Sequence, residues 1–558
     1  MKNLKLAILI FVGLSLITSC EDEYLERFPL DQPSNLNFYS TEAELDLAVN
    51  AIYEMMYWQS NSPAWLLFDC ATDLGWNRSE RGGGLKALGN GSYTPDQLLF
   101  TFLWERSYTA IARANTLLKY MPERAVANGA ISEAQASEYA AQARFLRGLF
   151  YMYLTSYWGD VPLVTEVLSL EDAELPRNAK SSVVDQIYQD LDFAAQHLPD
   201  QWDANNEGRV TQGAALALKA RVALFNEDYE IAAEAAQAVM NAGTYQLHPS
   251  YPELFTYAGE TSPEIIFAIR YLQGVQTHAG PQNQLTRLTG GWSNPSASQF
   301  LVDSYECTDG LPIDESPLYD PANPFQNRDP RLDYTIIRSG AVFGGYVYQS
   351  HIDSTMTTNV ITNERVVNQD SRGVQQYASF TGYAFRKYLD PIDINQRRES
   401  DLNAIVMRYA EVLLNYAEAK IEMNDIDQSV YDAINAVRQR STVEMPPVTP
   451  GKSQSEMRTL VRRERKVEFA FEGLRLFDIN RWRIAEYVMP GKLIGRPRAG
   501  YATLPIPTID EYGHPQYTDE DLYTFTEIRL FDPNRDYLFP IPQKELDVNQ
   551  ELEQNPYY

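Results

Sequence analysis
Residues 214–240 (AALALKARVALFNEDYEIAAEAAQAVM) set alanines between large apolar side chains on two stretches separated by Asn226-Glu227-Asp228. The apolar positions recur every three to four residues, the period of one helix face. Small residues facing large ones let antiparallel helices approach closely, and such hairpins stack on their neighbours. Residues 410–437 repeat the pattern around a turn at 424–427. A chain patterned this way must bury its apolar faces by packing helix on helix.

Other segments have the same period. Residues 41–58 begin with Thr41 and Glu44, a capping-box spacing. Residues 96–121 follow, then 132–157 with a Ser132–Gln135 cap, 181–198, 212–225 and 228–242, where Gly243 is a stop signal. Helices resume at 455–471 and 477–487. The paired segments resemble tetratricopeptide helix pairs in their pattern of sizes. Between them, residues 245–400 are rich in Pro, Gly, Asn, Tyr and Thr with only short apolar runs. Loops, short strands and small helices are expected there, the usual setting for a binding surface. From Gly491 the tail reads as irregular and Pro-rich.

At the other end, Lys2 and Lys5 precede an apolar run over residues 6–17. That run is too short to cross a hydrocarbon layer of about 30 Å as a helix, and it reads as a secretory signal peptide. It closes on Ile17-Thr18-Ser19-Cys20, which resembles the bacterial lipoprotein box. The resemblance implies cleavage before Cys20, diacylation of Cys20, and a protein anchored to a membrane rather than spanning it. Glu21-Asp22-Glu23 resemble the surface-export signal of certain Gram-negative lipoproteins, and read equally as the start of a solvated tether.

Charge and composition exclude several classes. Lys+Arg 47 against Asp+Glu 75 gives a net charge of −28, which opposes nucleic acid and a polybasic grip on lipid. The five histidines lie far apart, so no short zinc motif exists. Cys70 and Cys307 read equally as a disulfide or as two buried small residues. Asp309-Gly310 with Asp314 and Asp320 lacks the spacing of a calcium loop, and a solvated loop or at most a weak structural calcium site is expected. Gly82-Gly83-Gly84 is followed by no Lys-Ser or Lys-Thr, so it is no phosphate loop.

Several strings together resemble the SusD/RagB family of starch-utilisation-system-like outer-membrane lipoproteins. They are Ala143-Arg144-Phe145-Leu146-Arg147 with Tyr157-Trp158-Gly159-Asp160-Val161-Pro162, and Gly208-Arg209-Val210-Thr211. Asn327-Arg328-Asp329-Pro330-Arg331-Leu332 and Arg408-Tyr409-Ala410-Glu411 follow. Then come Glu464-Arg465-Lys466-Val467-Glu468-Phe469 through Arg475 to Trp482, and Tyr537-Leu538-Phe539-Pro540-Ile541-Pro542. They run in family order from the lipoprotein box to the last residues. The charges in these strings read as ion pairs between helices rather than as an anion site or a catalytic carboxylate pair.

The resemblance implies a mainly α fold: a tetratricopeptide-like solenoid of four helix-pair units with a large irregular insertion forming the ligand face. The expected layout is a signal peptide at 1–19, an acylated Cys20 and tether at 20–40, and helical parts at 41–244 and 401–490. The insertion at 245–400 and a tail at 491–558 packed on the same domain complete it. It also implies a cell-surface protein of the outer membrane, not an enzyme and with no cofactor. Such a protein captures oligosaccharides and passes them to a SusC-like TonB-dependent transporter. Capture of peptides is the alternative, with an adaptor or a glycosidase behind it.

Two loops offer aromatic and hydrogen-bonding residues for a sugar. Residues 69–91 carry Asp73, Trp76, Asn77 and Arg78 ahead of a glycine cluster. Residues 271–294 carry Tyr271, Trp292 and Asn294, with Trp292 following Gly290-Gly291. Both tryptophans read either as sugar platforms or as core plugs. The remaining ones, Trp104, Trp158 and Trp482 among them, read as core.

Overall fold
A computed structural model of the protein describes residues 38–57, 64–79, 84–169 and 171–558. The signal peptide, Cys20 and the acidic tether lie outside the described residues. Among the described residues nine helices carry the scaffold: α1 (Glu42–Tyr53), α2 (Leu98–Met121), α3 (Glu133–Trp158), α4 (Lys180–His197), α5 (Gln212–Phe225), α6 (Tyr229–Ala242), α7 (Tyr409–Glu422), α8 (Gln428–Arg438) and α9 (Gln454–Glu468). Their ends follow local chemistry. Both capping boxes form: Thr41 Oγ1 accepts from Glu44 N at 3.3 Å, and Ser132 Oγ accepts from Gln135 N at 3.3 Å. Such a cap contributes about 1 kcal/mol. α6 stops at Gly243, whose φ of 67° is a left-handed cap.

Each helix packs against the next in chain order from α1 to α8. The order continues across the irregular middle, so α6 lies on α7 although 166 positions separate Ala242 from Arg408. Stacked helix hairpins give this order. Among the described residues no helix is long and apolar enough to cross a membrane. Alanines at the α5–α6–α7 contacts are buried throughout, which is why the sequence alternates small with large.

The stack is stitched by buried ion pairs. Arg147 on α3 grips Asp190 on α4 with bonds of 2.7 and 2.6 Å. Arg221 on α5 holds Glu411 on α7 at 2.6 Å. Arg408 reaches Glu264, Glu468 and Glu472 at 2.7–2.8 Å. Arg438 joins Glu464 at 2.7 Å and Glu306 at 2.8 Å. Removing one partner of such a pair leaves an uncompensated buried charge and costs about 3–5 kcal/mol.

Two regions differ from expectation. The segment expected as one helix over 477–487 is broken into Arg475–Arg481 and Ala485–Val488, because Arg483 turns left-handed with φ 55°. The tail is not wholly irregular: strands Gly491–Pro497 and Tyr523–Arg529 pair antiparallel. The last segment then returns to the scaffold. Trp158 Nε1 donates to Pro540 O at 2.7 Å, and Phe539 stacks on Tyr157 at 4.8 Å. Between α6 and α7, strands and short helices predominate, among them a four-stranded meander over 342–367.

Candidate ligand-binding face
The two loops picked out from the sequence meet. Strand β1 (Gly75–Asn77) pairs antiparallel with the strand Pro295–Ala297, here β2, placing Trp76 opposite Ser296. Past the strands, Arg78 N donates to Asn294 O at 2.9 Å. Gly75 is required by this approach, since a Cβ there would lie 2.8 Å from Ser296 O. Arg529, from near the end of the chain, clamps the underside by donating to Cys70 O and Gly75 O at 3.0 Å each.

Of the residues expected to face a ligand, five are buried, and three of these, Asp73, Trp76 and Asn77, are enclosed in the first loop. Asp73 is fully buried, paired with Arg475 at 2.9 Å and Lys466 at 3.0 Å, with His514 at 3.5 Å. The Arg475 and Lys466 charges, working against the penalty of burial, hold its carboxyl well below the usual range. Trp76 is a core plug, 4% exposed, tilted on Phe380 at 5.0 Å with Nε1 donating to Glu527 at 3.0 Å. Asn77 is buried and its Oδ1 accepts from Ser79 N at 3.0 Å. The segment that reads as an open loop is fixed at its edge by β2 and covered by Phe380 over Trp76 and by Arg475 and Lys466 against Asp73.

Arg78, Trp292 and Asn294 come together at the surface edge of this pair. Trp292 is 41% exposed on a tight loop. Its N donates to Gln282 O at 2.8 Å, and Gly291 N donates to Thr286 O at 2.9 Å. Ser293, with φ 49°, closes the turn. Arg78 Nη2 donates to Trp292 O at 3.1 Å and also reaches Asn294 Oδ1. Asn294 is buried beneath, donating to Asn283 Oδ1 at 3.0 Å.

Three neighbours escaped the sequence reading. Tyr377, 46% exposed, lies 5.0 Å below the Arg78 guanidinium. Arg287 Nη1 donates to Gly291 O at 3.0 Å. Arg398 sits 5.8 Å over the Trp292 ring. All three are single residues on irregular segments, with no periodicity to mark them. The backbone under Arg287 is pinned by the buried Asp370 carboxylate, which accepts from Arg287 N at 2.6 Å and Leu288 N at 3.2 Å. Burial pushes Asp370 up to about 6.

Tyr271 lies elsewhere. It is buried edge-on against Tyr57 at 5.3 Å and His278 at 4.5 Å, and its hydroxyl has no hydrogen-bond partner among the described residues. Cys70 and Cys307 are free and buried rather than paired. Asp309, Asp314 and Asp320 are spent on separate turns, accepting from Ser316, Ile509 N and Asn323. Among the described residues no His/Cys/Asp/Glu group is placed to hold a metal.

The carboxylates over 464–478 each face a cation. Glu464 meets Arg331 and Arg438, Glu468 meets Arg331, Arg408 and Arg440, Glu472 meets Arg408 and Lys387, and Asp478 meets Arg465 and Arg481. An acid or nucleophile for glycoside cleavage needs a carboxylate free to change protonation or attack, which these are not.

Comparison with known proteins follows the same lines. A family model described as "SusD family" matches residues 263–558, and one described as "Starch-binding associating with outer membrane" matches residues 23–224. A SusD-like protein (P2) of Formosa agariphila is 27% identical over 100% of both chains. The structure of a SusD-like carbohydrate binding protein from Bacteroides fragilis is 31% identical, with a TM-score of 0.80, and covers 93% of this chain and 100% of its own. Surface glycan-binding protein A from Bacteroides thetaiotaomicron, in complex with laminarihexaose, has a TM-score of 0.67 at 21% identity, covering 93% of this chain and 100% of its own. At that identity the likeness speaks for the fold.

Proposed function
This chain belongs to the SusD/RagB family, and on that premise we propose that it binds oligosaccharides at the outer membrane and hands them to a TonB-dependent transporter without chemical change. The observation that carries the reading is Trp292. A large indole stands half out of the surface on a loop locked by its own backbone hydrogen bonds, with Arg78 and Tyr377 beside it. A rigid aromatic face offers a sugar ring apolar contact, and the flanking donors serve its hydroxyls. The likeness to the Bacteroides fragilis carbohydrate binding protein supports this use.

Attachment through acylated Cys20, display on the outer surface, and a SusC-like transporter as partner rest on the sequence resemblance. The absence of a free carboxylate pair over 464–478 supports a binding role over a glycosidase. The test is titration calorimetry of the detergent-solubilised full chain against a panel of oligosaccharides and peptides. Saturable heat with a sugar is expected at a Kd of roughly µM to mM, weak enough for release. Trp292→Ala should weaken it about tenfold, the loss of one stacked ring. Saturable heat with peptides alone would refute the sugar reading.

A further inference from the structure
Most buried arginines of this chain meet a carboxylate: Arg331, Arg408, Arg438, Arg465 and Arg475 form ion pairs, while Arg328 is held by backbone carbonyls instead. Around Trp292 three half-buried or exposed arginines gather without such a partner among the described residues. Arg78, Arg287 and Arg398 appear in no ion pair among the described residues, although the chain carries 75 acidic residues against 47 basic ones. Two of them are fixed in place by the same loop, Arg78 on Trp292 O at 3.1 Å and Arg287 on Gly291 O at 3.0 Å. These are adjacent carbonyls, so two guanidiniums are held side by side with the third over the indole.

The acids nearby, Asp370 and Glu399, offset at most two of the three charges. Asp370 lies beneath, spent on the amides of Arg287 and Leu288, and Glu399 is the exposed neighbour of Arg398. Arg78 Nε is shielded from water and has no hydrogen-bond partner among the described residues. Burial, and after it the charge of Arg287, pulls the Arg78 guanidinium below its ordinary value. Like charges held together at the cost of mutual repulsion are relieved by an anion, and the planar guanidinium fork suits a carboxylate or a sulfate.

We propose that the oligosaccharide taken by the Trp292 face is anionic, its carboxylate or sulfate ester read by Arg78 and Arg287 while a sugar ring lies on the indole. This rests on the glycan-binding reading above and names its substrate class. Arg398, exposed at the rim, steers the anion in.

The experiment is calorimetry of the full chain in detergent with three hexasaccharides: laminarihexaose as the neutral probe, hexagalacturonate for carboxylate, and a sulfated galactan hexasaccharide for sulfate. Each is run at low and high sodium chloride. At least one acidic sugar is expected to bind tenfold or more tighter than the neutral one, with an affinity that salt weakens; which one identifies the anion. Arg78→Gln with Arg287→Gln should remove that preference, and Trp292→Ala should weaken every sugar that binds. Thermal melts check that the variants fold, and the rim variant Arg398→Gln, expected to lower the on-rate for the acidic sugar alone, keeps the test open if the double variant does not. Neutral sugar binding as tightly as both acidic ones, or a preference that survives the double substitution, overturns the inference and leaves glycan capture standing. No saturable heat with any of the three overturns both.

Discussion
The Arg221–Glu411 pair gives the sharpest test of what holds the two helical halves together. Arg221 on α5 donates to both Glu411 oxygens on α7, at 2.6 and 2.5 Å, and to Val406 O at 2.6 Å. Its side chain is 3% exposed and that of Glu411 5%. Burial works against the guanidinium, but the Glu411 carboxylate more than offsets it, so its pKa is raised. Arg221→Met strands a buried carboxylate and a carbonyl, a loss of about 4 kcal/mol. Unfolding entropy near 60 °C, at about 2.1 cal/mol/K per residue, comes to about 1.2 kcal/mol/K for this chain. The single variant should therefore unfold about 3 °C lower by scanning calorimetry. Arg221→Met with Glu411→Leu removes both charges and leaves only Val406 O short of a partner, about 1 kcal/mol, or a shift of about 1 °C. A double variant that falls as far as the single one, or further, would refute the view that the cost is the stranded charge.

Other expectations are checked as simply. Gly291→Ala should weaken sugar binding about tenfold while the protein stays folded, because a Cβ there would lie 2.1 Å from Leu285 O and displace the loop that presents Trp292; unchanged affinity in calorimetry would contradict this. Stability should fall on acidification in two windows. His278, buried and bonded to Leu402 O, titrates at about 4 when folded, so its contribution is complete above pH 6.5 and is lost as pH falls from there through 4. Burial would raise Glu418, but Arg481 and Arg465 hold it at about 2, so its contribution is present above pH 4.5 and is lost between 4.5 and 2. Urea midpoints against pH for His278→Gln and Glu418→Gln should each lose the slope in the matching window. Cys70 and Cys307 should resist a thiol reagent in the folded protein and react once urea unfolds it, since both are buried and burial pushes both thiols up.

The scaffold was legible because its signals are local. A Ser or Thr three residues ahead of a Glu or Gln, an alanine stripe and a terminal glycine each act within a turn or two: α1 and α3 begin at such caps, and α3 and α6 end at a glycine. The strand Tyr523–Arg529 was signalled too, by the alternation Tyr523-Thr524-Phe525-Thr526, but its Pro-rich surroundings disguise it. The ligand face was legible only in part. Arg78, Trp292 and Asn294 could be picked from turn-rich loops, yet nothing near Asp73 or Trp76 says that β2, 220 positions away, will pair with the segment or that Arg475 and Phe380 will cover them. Tyr377, Arg287 and Arg398 enter the site through tertiary contacts alone.

That long-range pairing has a consequence for the order of folding. The floor of the ligand face is built from β1, from β2, and from Glu527 and Arg529 near the chain's end. Contacts so distant in sequence pay their loop-closure entropy late, whereas the early helix hairpins close locally and fast. A nascent chain can thus complete α1 to α6 while Trp76 and the carbonyls of Cys70 and Gly75 still await their partners. Binding competence becomes the last property the molecule acquires, and a chain cut short before Arg529 would fold its hairpins yet present no finished surface to a ligand.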